Sequence, residues 1–327
     1  MKHPRRQFLQ LGALAAATVL AAPKAAISQA FPSRPITMIV PLAAGGAVDA
    51  VGRILAERMR STLGQPIIIE NVGGADGTIG TGRAARARPD GYTLDLGFLG
   101  THVLNAAFYS LPYDVVNDFA PVVPLVRSPL VLFARKTMPA NDFRQLSEWL
   151  KANPRASMGY GAPGPHMVSY FFAKQTGAQF TLVPYRDLTP AIQDLAAGQI
   201  DLSFGGPDAL PLAQAGGIKA YAVTSDSRIA LAPDLPTFGE LGLPALTYFT
   251  WWAIFAPKGT PADIIGRLNS AAIEALADPV VRSRFADLGQ EIFPRELQTP
   301  DALGALVRAD ANKWWPIIKE SGIKATP

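Results

Sequence analysis

The sequence predicts an α/β protein built as two domains, and three observations carry that prediction. Short β-rich runs alternate with amphipathic helical patterns almost throughout the chain. About 297 of the 327 residues remain once a leader-like first 30 are set aside, enough for two separate cores. Two proline-punctuated extended stretches, FAPVVPLVRSPLVLF and LTYFTWWAIFAPKGTP, lie more than a hundred residues apart, as a chain requires if it leaves one domain and later returns. Proline in edge strands and loops would give the same composition. On the domain reading, residues 31–130 and 252–327 form domain 1 and residues 131–251 form domain 2.

The elements follow in order. The apolar run 36–40 reads as a strand, and Val48, Val51, Leu55 and Met59 recur at helical spacing through 48–62. A strand at 67–70 precedes a glycine-rich turn and a short helix at 78–87. In DGYTLDLG a turn gives way to a strand in which Tyr92, Leu94 and Leu96 alternate. Further strands are expected at 130–134, 158–160, 181–183, 200–204, 220–224 and 251–255. Helices fall between them at 143–152, 167–176, 190–197 and 209–214, and helices at 262–277 and 300–320 close the chain.

Residues 1–30 have a basic start, an apolar stretch from Phe8 to Ala22 and a small-residue exit, the pattern of an export signal. Ser28 and Ala30 suit the −3 and −1 positions of cleavage, so the mature chain is expected to begin near Phe31 in the periplasm. Arg5 and Arg6, followed by Phe8 and Leu9, suit the twin-arginine route; an ordinary secretory signal that carries two arginines is the alternative. Four of the 30 basic residues, Lys2, Arg5, Arg6 and Lys24, lie in this leader, which has no acidic residue, so the rest of the chain has 26 of each sign. The net charge therefore offers no case for nucleic-acid binding. The absence of cysteine excludes thiolate metal sites, iron–sulfur clusters and cysteine nucleophiles.

The stretch VPLAAGGAVDAVGRILAERM (Val40 to Met59) carries the first functional signal: glycines between a strand and a helix bare backbone amides to an anion. It has neither the lysine and hydroxyl of a nucleotide-binding P-loop nor G-x-G-x-x-G. Taken alone it reads better as a plain helix cap with small residues for tight packing. After the leader there are only two histidines, His102 in GFLGTHVLN and His166 in GAPGPHMVSYFF, and both follow a glycine turn that ends a strand and opens a helix. Turns of this kind gather at the carboxyl ends of strands, where open α/β sheets bind ligands. Each histidine alone reads as a satisfied structural residue; their shared placement favours a site. No G-x-S-x-G, H-E-x-x-H or diagnostic carboxylate pair is present. The histidines with Asp49 or Asp208 could hold a metal, but their spacing does not argue for it. A binding protein without cofactor or metal is expected, not an enzyme.

From about Phe31 onward the chain resembles the exported receptors of tripartite tricarboxylate transporters, the Bug receptors. The resemblance rests on FPSRPITMIVP, GGAVDAVGRILAERM, LGQPIIIEN, GTIG, ARPDGYTLDLG, GTHVLN, LPYDVVNDFAPV, VPYRDLTPAIQDLAAGQIDL, AVTSDSRIALAPDLPTFGELGLP and WWAIFAPKGTP, in order along the chain. It implies a type II periplasmic binding protein: two α/β domains joined by two crossover strands, with a ligand cleft between them. It further implies a monomer that binds an organic acid and presents it to membrane subunits. Carried over by position, Ala44, Gly45, Gly46 and Asp49 form one wall, with Asp49 orienting loop amides or water or receiving a donor group of the ligand, and Thr101 and His102 add a hydroxyl and an imidazole. Gly164, His166, Tyr185, Gly205 and Gly206 face them from domain 2.

This chain departs from the family pattern at several points. The usual serine–glycine–x–glycine–threonine run before His166 is replaced by YGAPGPH, a common glutamate is Tyr170, the usual Phe-Asp-Asn is Phe204, Gly205 and Gly206, and paired prolines are Ala43 and Ala44. Fewer side-chain donors, with Tyr170 near Tyr185 and Trp251, imply an aromatic or otherwise bulky carboxylate. A sensor that passes carboxylate binding to a two-component partner is the alternative, and an exported hydrolase or isomerase ranks third.

Overall fold

Strand β1 (Ile36–Val40) buries Ile36, Met38, Ile39 and Val40 completely, which is the mark of a parallel strand covered on both faces. The computed structural model describes residues 31–322, so the expected leader and cleavage site lie outside the described residues. Helix α1 (Ala47–Leu63) returns over β1 with Val48, Val51, Leu55 and Met59 inward and ends on Gly64 in the left-handed conformation. Strand β2 (Ile67–Asn71), helix α2 (Thr78–Ala85) and strand β3 (Thr93–Phe98) complete a parallel β2–β1–β3 unit. A π-helical turn, Gly100–Leu104, then runs into helix α3 (Asn105–Phe108).

Strand β4 (Phe119–Pro129) contains Pro121, Pro124 and Pro129, which a fully paired central strand would not tolerate. Two register shifts against β10 (Phe249–Pro257) skip residues beside these prolines, and β4's other edge pairs only with the two-residue β11 (Glu291–Ile292). The first sheet is six-stranded, in the order β11-β4-β10-β3-β1-β2. Helices α8 (Ala262–Ala277), α9 (Pro279–Asp287) and α10 (Pro300–Ser321) pack around it.

One residue, Leu130, separates β4 from β5 (Val131–Arg135), which lies between β8 and β9 in a second sheet ordered β7-β6-β8-β5-β9. Its strands are β6 (Ser157–Tyr160), β7 (Thr181–Pro184), β8 (Leu202–Gly205) and β9 (Ile218–Val223). Helices α4 (Phe143–Ala152), α5 (Pro163–Thr176), α6 (Leu188–Ala197) and α7 (Leu210–Gln214) alternate with them. From β9 the chain returns to the first sheet through residues 224–248. Consecutive β10 residues serve opposite faces of the first sheet: Trp251, Ala253 and Phe255 join one apolar core, and Trp252, Ile254 and Ala256 join another. Sequence periodicity missed helix α9, strand β11 and the turn after Gly100, all short elements without a sustained apolar repeat.

Candidate functional site

A cavity of about 280 Å³ lies where the carboxyl ends of strands and the starts of helices from the two lobes face each other. The first lobe contributes the Ala43–Asp49 loop, Phe98, Gly100, Trp252 and Gln290; the second contributes the turns before α5, α6 and α7. Tyr248 and Thr250 come from the return crossing.

Two of the helices begin uncapped at this cavity. Helix α1 starts at Gly46, whose extended backbone (φ −82°, ψ 174°) supplies no side-chain cap, so the first-turn amides of Ala47 and Val48 have no partner within the helix. Helix α5 starts at Ala162, again without a side-chain cap, and because Pro163 and Pro165 have no N–H, Gly164 is the amide presented there. Helix α6 differs, because its Asp187 caps Thr189 with its own carboxylate at 3.3 Å. The approach of these turns demands small residues. A Cβ added at Gly161 would lie 2.1 Å from the Asp187 carbonyl carbon, and one at Gly164 2.1 Å from Tyr248 Oη.

Among the described residues, no lysine, arginine or histidine lines the cavity, whereas three aspartates do. Asp49 is neutralised in place. Its Oδ2 accepts from the Gly45 amide at 3.0 Å and Arg53 Nε at 2.9 Å, and its Oδ1 accepts from Asn71 at 3.0 Å. Burial opposes its charge, but these bonds together hold its pKa below the usual carboxylate range. Asp187 and Asp208 are shifted the other way by burial, and for Asp208 the neighbouring Asp187 charge adds to the rise. Asp208 nonetheless keeps an exposed surface, because what surrounds it is the open cleft.

Of the residues expected at the site, Gly46, Asp49, Gly164 and Gly206 line the cavity and seven do not. Ala44 and Gly45 are exposed on the loop outside the cavity lining, and the Gly45 amide is spent on Asp49. Thr101 is fully buried, bonded to Phe98 N and O at 3.1 Å. His102 is also fully buried, stacked on Phe255 at 3.8 Å in space that Gly97 leaves free. Burial drives the His102 pKa down to about 3, so the ring is a neutral core group. His166 is stacked 4.2 Å from Tyr160, with burial lowering its pKa, and helps build the floor of the lobe contact with Phe108. Tyr185 Oη donates to Asp194 at 2.7 Å, and Gly205 lies inside β8 against Phe133.

The aromatic wall is likewise made by other residues than expected. Tyr170 Oη donates to the Ser321 carbonyl and the Trp251 indole N–H to Asp310, both away from the cleft. Phe98, Tyr248 and Trp252 take their place, and strand alternation puts Trp252, not Trp251, on the cleft side. Asp187 was legible only as a helix cap, in the aspartate before LTPAIQDL. Gln290 and Tyr248 carried no local signal. Among the described residues, no group of three or more His, Cys, Asp or Glu side chains is placed to hold a metal ion.

Two α/β lobes around a cleft entered by helix starts define a two-lobed solute-binding protein, and solved periplasmic binding proteins share this architecture over most of the chain. Residues 51–323 match the family described as tripartite tricarboxylate transporter family receptor, and the chain belongs to that family. It is 33% identical to protein BugT of Bordetella pertussis (strain Tohama I) over 325 residues, covering 98% of each chain. Among solved structures it is similar to MatC from Rhodopseudomonas palustris with bound malate (35% identity, TM-score 0.84, covering 88% of this chain and 100% of that one). It is similar too to R. palustris Rpa4515 with adipate (31%, TM-score 0.85, 90% and 99%). The protein is thus a receptor of the solute-binding type and not an enzyme.

Proposed function

We propose that the protein captures a small organic acid between its lobes in the periplasm and hands it to the membrane subunits of a tripartite tricarboxylate-type transporter. On this reading residues 131–251 form one lobe, residues 31–130 and 252–327 the other, and an export signal is removed near Ala30. The observation that carries the proposal is the pair of uncapped helix starts, Gly46–Val48 and Ala162–Gly164, on opposite sides of a cleft without side-chain cations. Such starts are anion sites by construction, and the malate and adipate seen in relatives are anions of the expected kind.

Magnitudes indicate the acid's size. Hydrogen bonds to a charged group contribute about 1.5–3 kcal/mol each, and the helix dipole up to ~2 kcal/mol when partly buried. Micromolar affinity needs about 8 kcal/mol after association has cost at least ~4. At mid-range values the Ala47, Val48 and Gly164 amides supply about 7 kcal/mol, so apolar contact at about 25 cal/mol per Å² contributes much of the rest. Phe98, Trp252, Leu42, Leu188 and Ile192 provide that surface, which favours an acid with a bulky apolar body.

Melting curves of the ligand-stripped chain with aliphatic and aromatic mono-, di- and tricarboxylates test the proposal. At a hundred times its dissociation constant, a ligand stabilises the fold by about 2.7 kcal/mol, roughly 5–11 °C for a chain of this size. A selective shift with the acid recovered unchanged is expected; no shift with any acid would refute the proposal.

A further inference from the structure

The two crossings between the lobes meet at one side chain. In the first sheet, β4 and β10 pair in register as far as Ser128 with Thr250 and Pro129 with Phe249. Leu130 and Tyr248 come next in that register, at the point where β4 gives way to β5. Neither amide reaches the other's carbonyl, and both turn to Thr224. This fully buried residue follows β9 and takes all four of their backbone polar groups. Its N–H donates to the Leu130 carbonyl at 2.8 Å, and its carbonyl accepts from the Tyr248 amide at 2.9 Å. Its hydroxyl accepts from the Leu130 amide at 2.8 Å and donates to the Tyr248 carbonyl at 2.7 Å. A hydroxyl can give one proton and accept another, so Oγ1 stands inserted where a direct rung between Leu130 and Tyr248 would lie. Branching at Cβ restricts χ1 and keeps it there.

This inserted rung underlies the ligand site. Leu130 and Tyr248 both line the cavity. Tyr248 also touches both lobes: its ring lies 6.1 Å from that of Trp314 in α10, and a Cβ added at Gly164, by the start of α5, would strike its Oη. Chains that leave one sheet for another have no ladder of their own at the changeover, and a missing partner there strands buried backbone groups. We propose that Thr224 is a positioning residue of the cleft. Its hydroxyl ties the two crossings together at the pivot between the lobes, and so sets both the spacing of the lobes and the place of Leu130 and Tyr248 in the floor. The proposal goes beyond the carboxylate reading, because it holds for whatever solute the cleft takes.

Pulsed electron-spin resonance on the full chain tests this. The sequence has no cysteine, so nitroxides at Arg60→Cys in α1 and Lys151→Cys in α4, both exposed, report one distance between the lobes. Thr224→Val keeps the shape and loses the hydroxyl, and the distance distribution of the unliganded protein should broaden about twofold or more as the hinge loosens. Thr224→Ser should restore it. A folded Thr224→Val protein with the unsubstituted distribution would overturn the proposal, and so would equal broadening in the valine and serine proteins. Amide hydrogen exchange in the unsubstituted chain decides the matter even if the valine protein does not fold. The Leu130 amide is expected to be as protected as the amides of β5. Exchange within about tenfold of the exposed turn 226–228 would mean that the rung is not held, and the proposal would fall.

Discussion

On the first lobe's side of the cleft, α1 begins at an uncapped glycine, and the nearby Asp49 is held by Arg53, Asn71 and the Gly45 amide. On the second lobe's side, α5 begins at an uncapped alanine, but Asp187 and Asp208 face the same space with no cation to hold them. The backbone device is common to both walls, while the side chains differ in what they leave available. Asp49 is spent on shaping its own loop, so its wall presents mainly amides. The opposite wall presents amides together with Asp187, which caps α6, and Asp208.

Substitutions that act on one wall at a time can break or sharpen this contrast. The largest effect is expected for Trp252→Ala. This buried side chain serves both the first lobe's core and the cleft, and its loss should lower stability by about 3–5 kcal/mol, read from a denaturant melt, along with ligand affinity. Next is Ala47→Pro. Proline suits the first helical position, and the extended backbone of Gly46 already suits a following proline, so the fold should persist while one anion-facing amide is lost. A loss of about 1.5–3 kcal/mol in binding is expected, roughly 10–150-fold by calorimetry, equal for every acid tested. Unequal losses would mean that the first wall discriminates among them.

A third expectation separates core from cleft. Burial pushes the Asp95 pKa up to about 8 from 3.8, so the folded chain keeps this carboxyl neutral where the unfolded chain ionises it. Its contribution to stability is therefore full below about pH 4 and is lost as pH rises towards 8, at up to roughly 1.4 kcal/mol per pH unit. Asp95→Asn should flatten the fall in melting temperature between pH 5 and 8 and leave ligand affinity unchanged. Smallest is Tyr185→Phe, which removes the bond to Asp194. It should cost about 0.5–1.5 kcal/mol of stability and nothing in binding, because Tyr185 lies outside the cleft.

Much of the fold was legible because long elements carry a period. The apolar positions of α1 and the alternation in β3 are set by burial, and burial is written in residue type. The proline-rich stretch could mark the crossing because β4 bulges past its prolines before the chain enters β5 one residue later. The site was legible at Gly46, Asp49, Gly164 and Gly206, where local turn and helix-start patterns mark the lining. The histidines misled because rarity is not location: His102 sits in a space beside Gly97 with its ring stacked on Phe255, a packing relation between two distant parts of the chain. Gln290 and Tyr248 reach the cleft through tertiary contacts that no local pattern encodes.

The most direct test is the position of the bound acid in a crystal structure of the ligand complex. A carboxylate oxygen about 2.7–3.2 Å from the Ala47 or Val48 amide, with Gly164 opposite, is the expected result. A carboxylate held instead by a side-chain cation, or lying outside the cleft between Gly46 and Gly164, would contradict the backbone-amide mechanism.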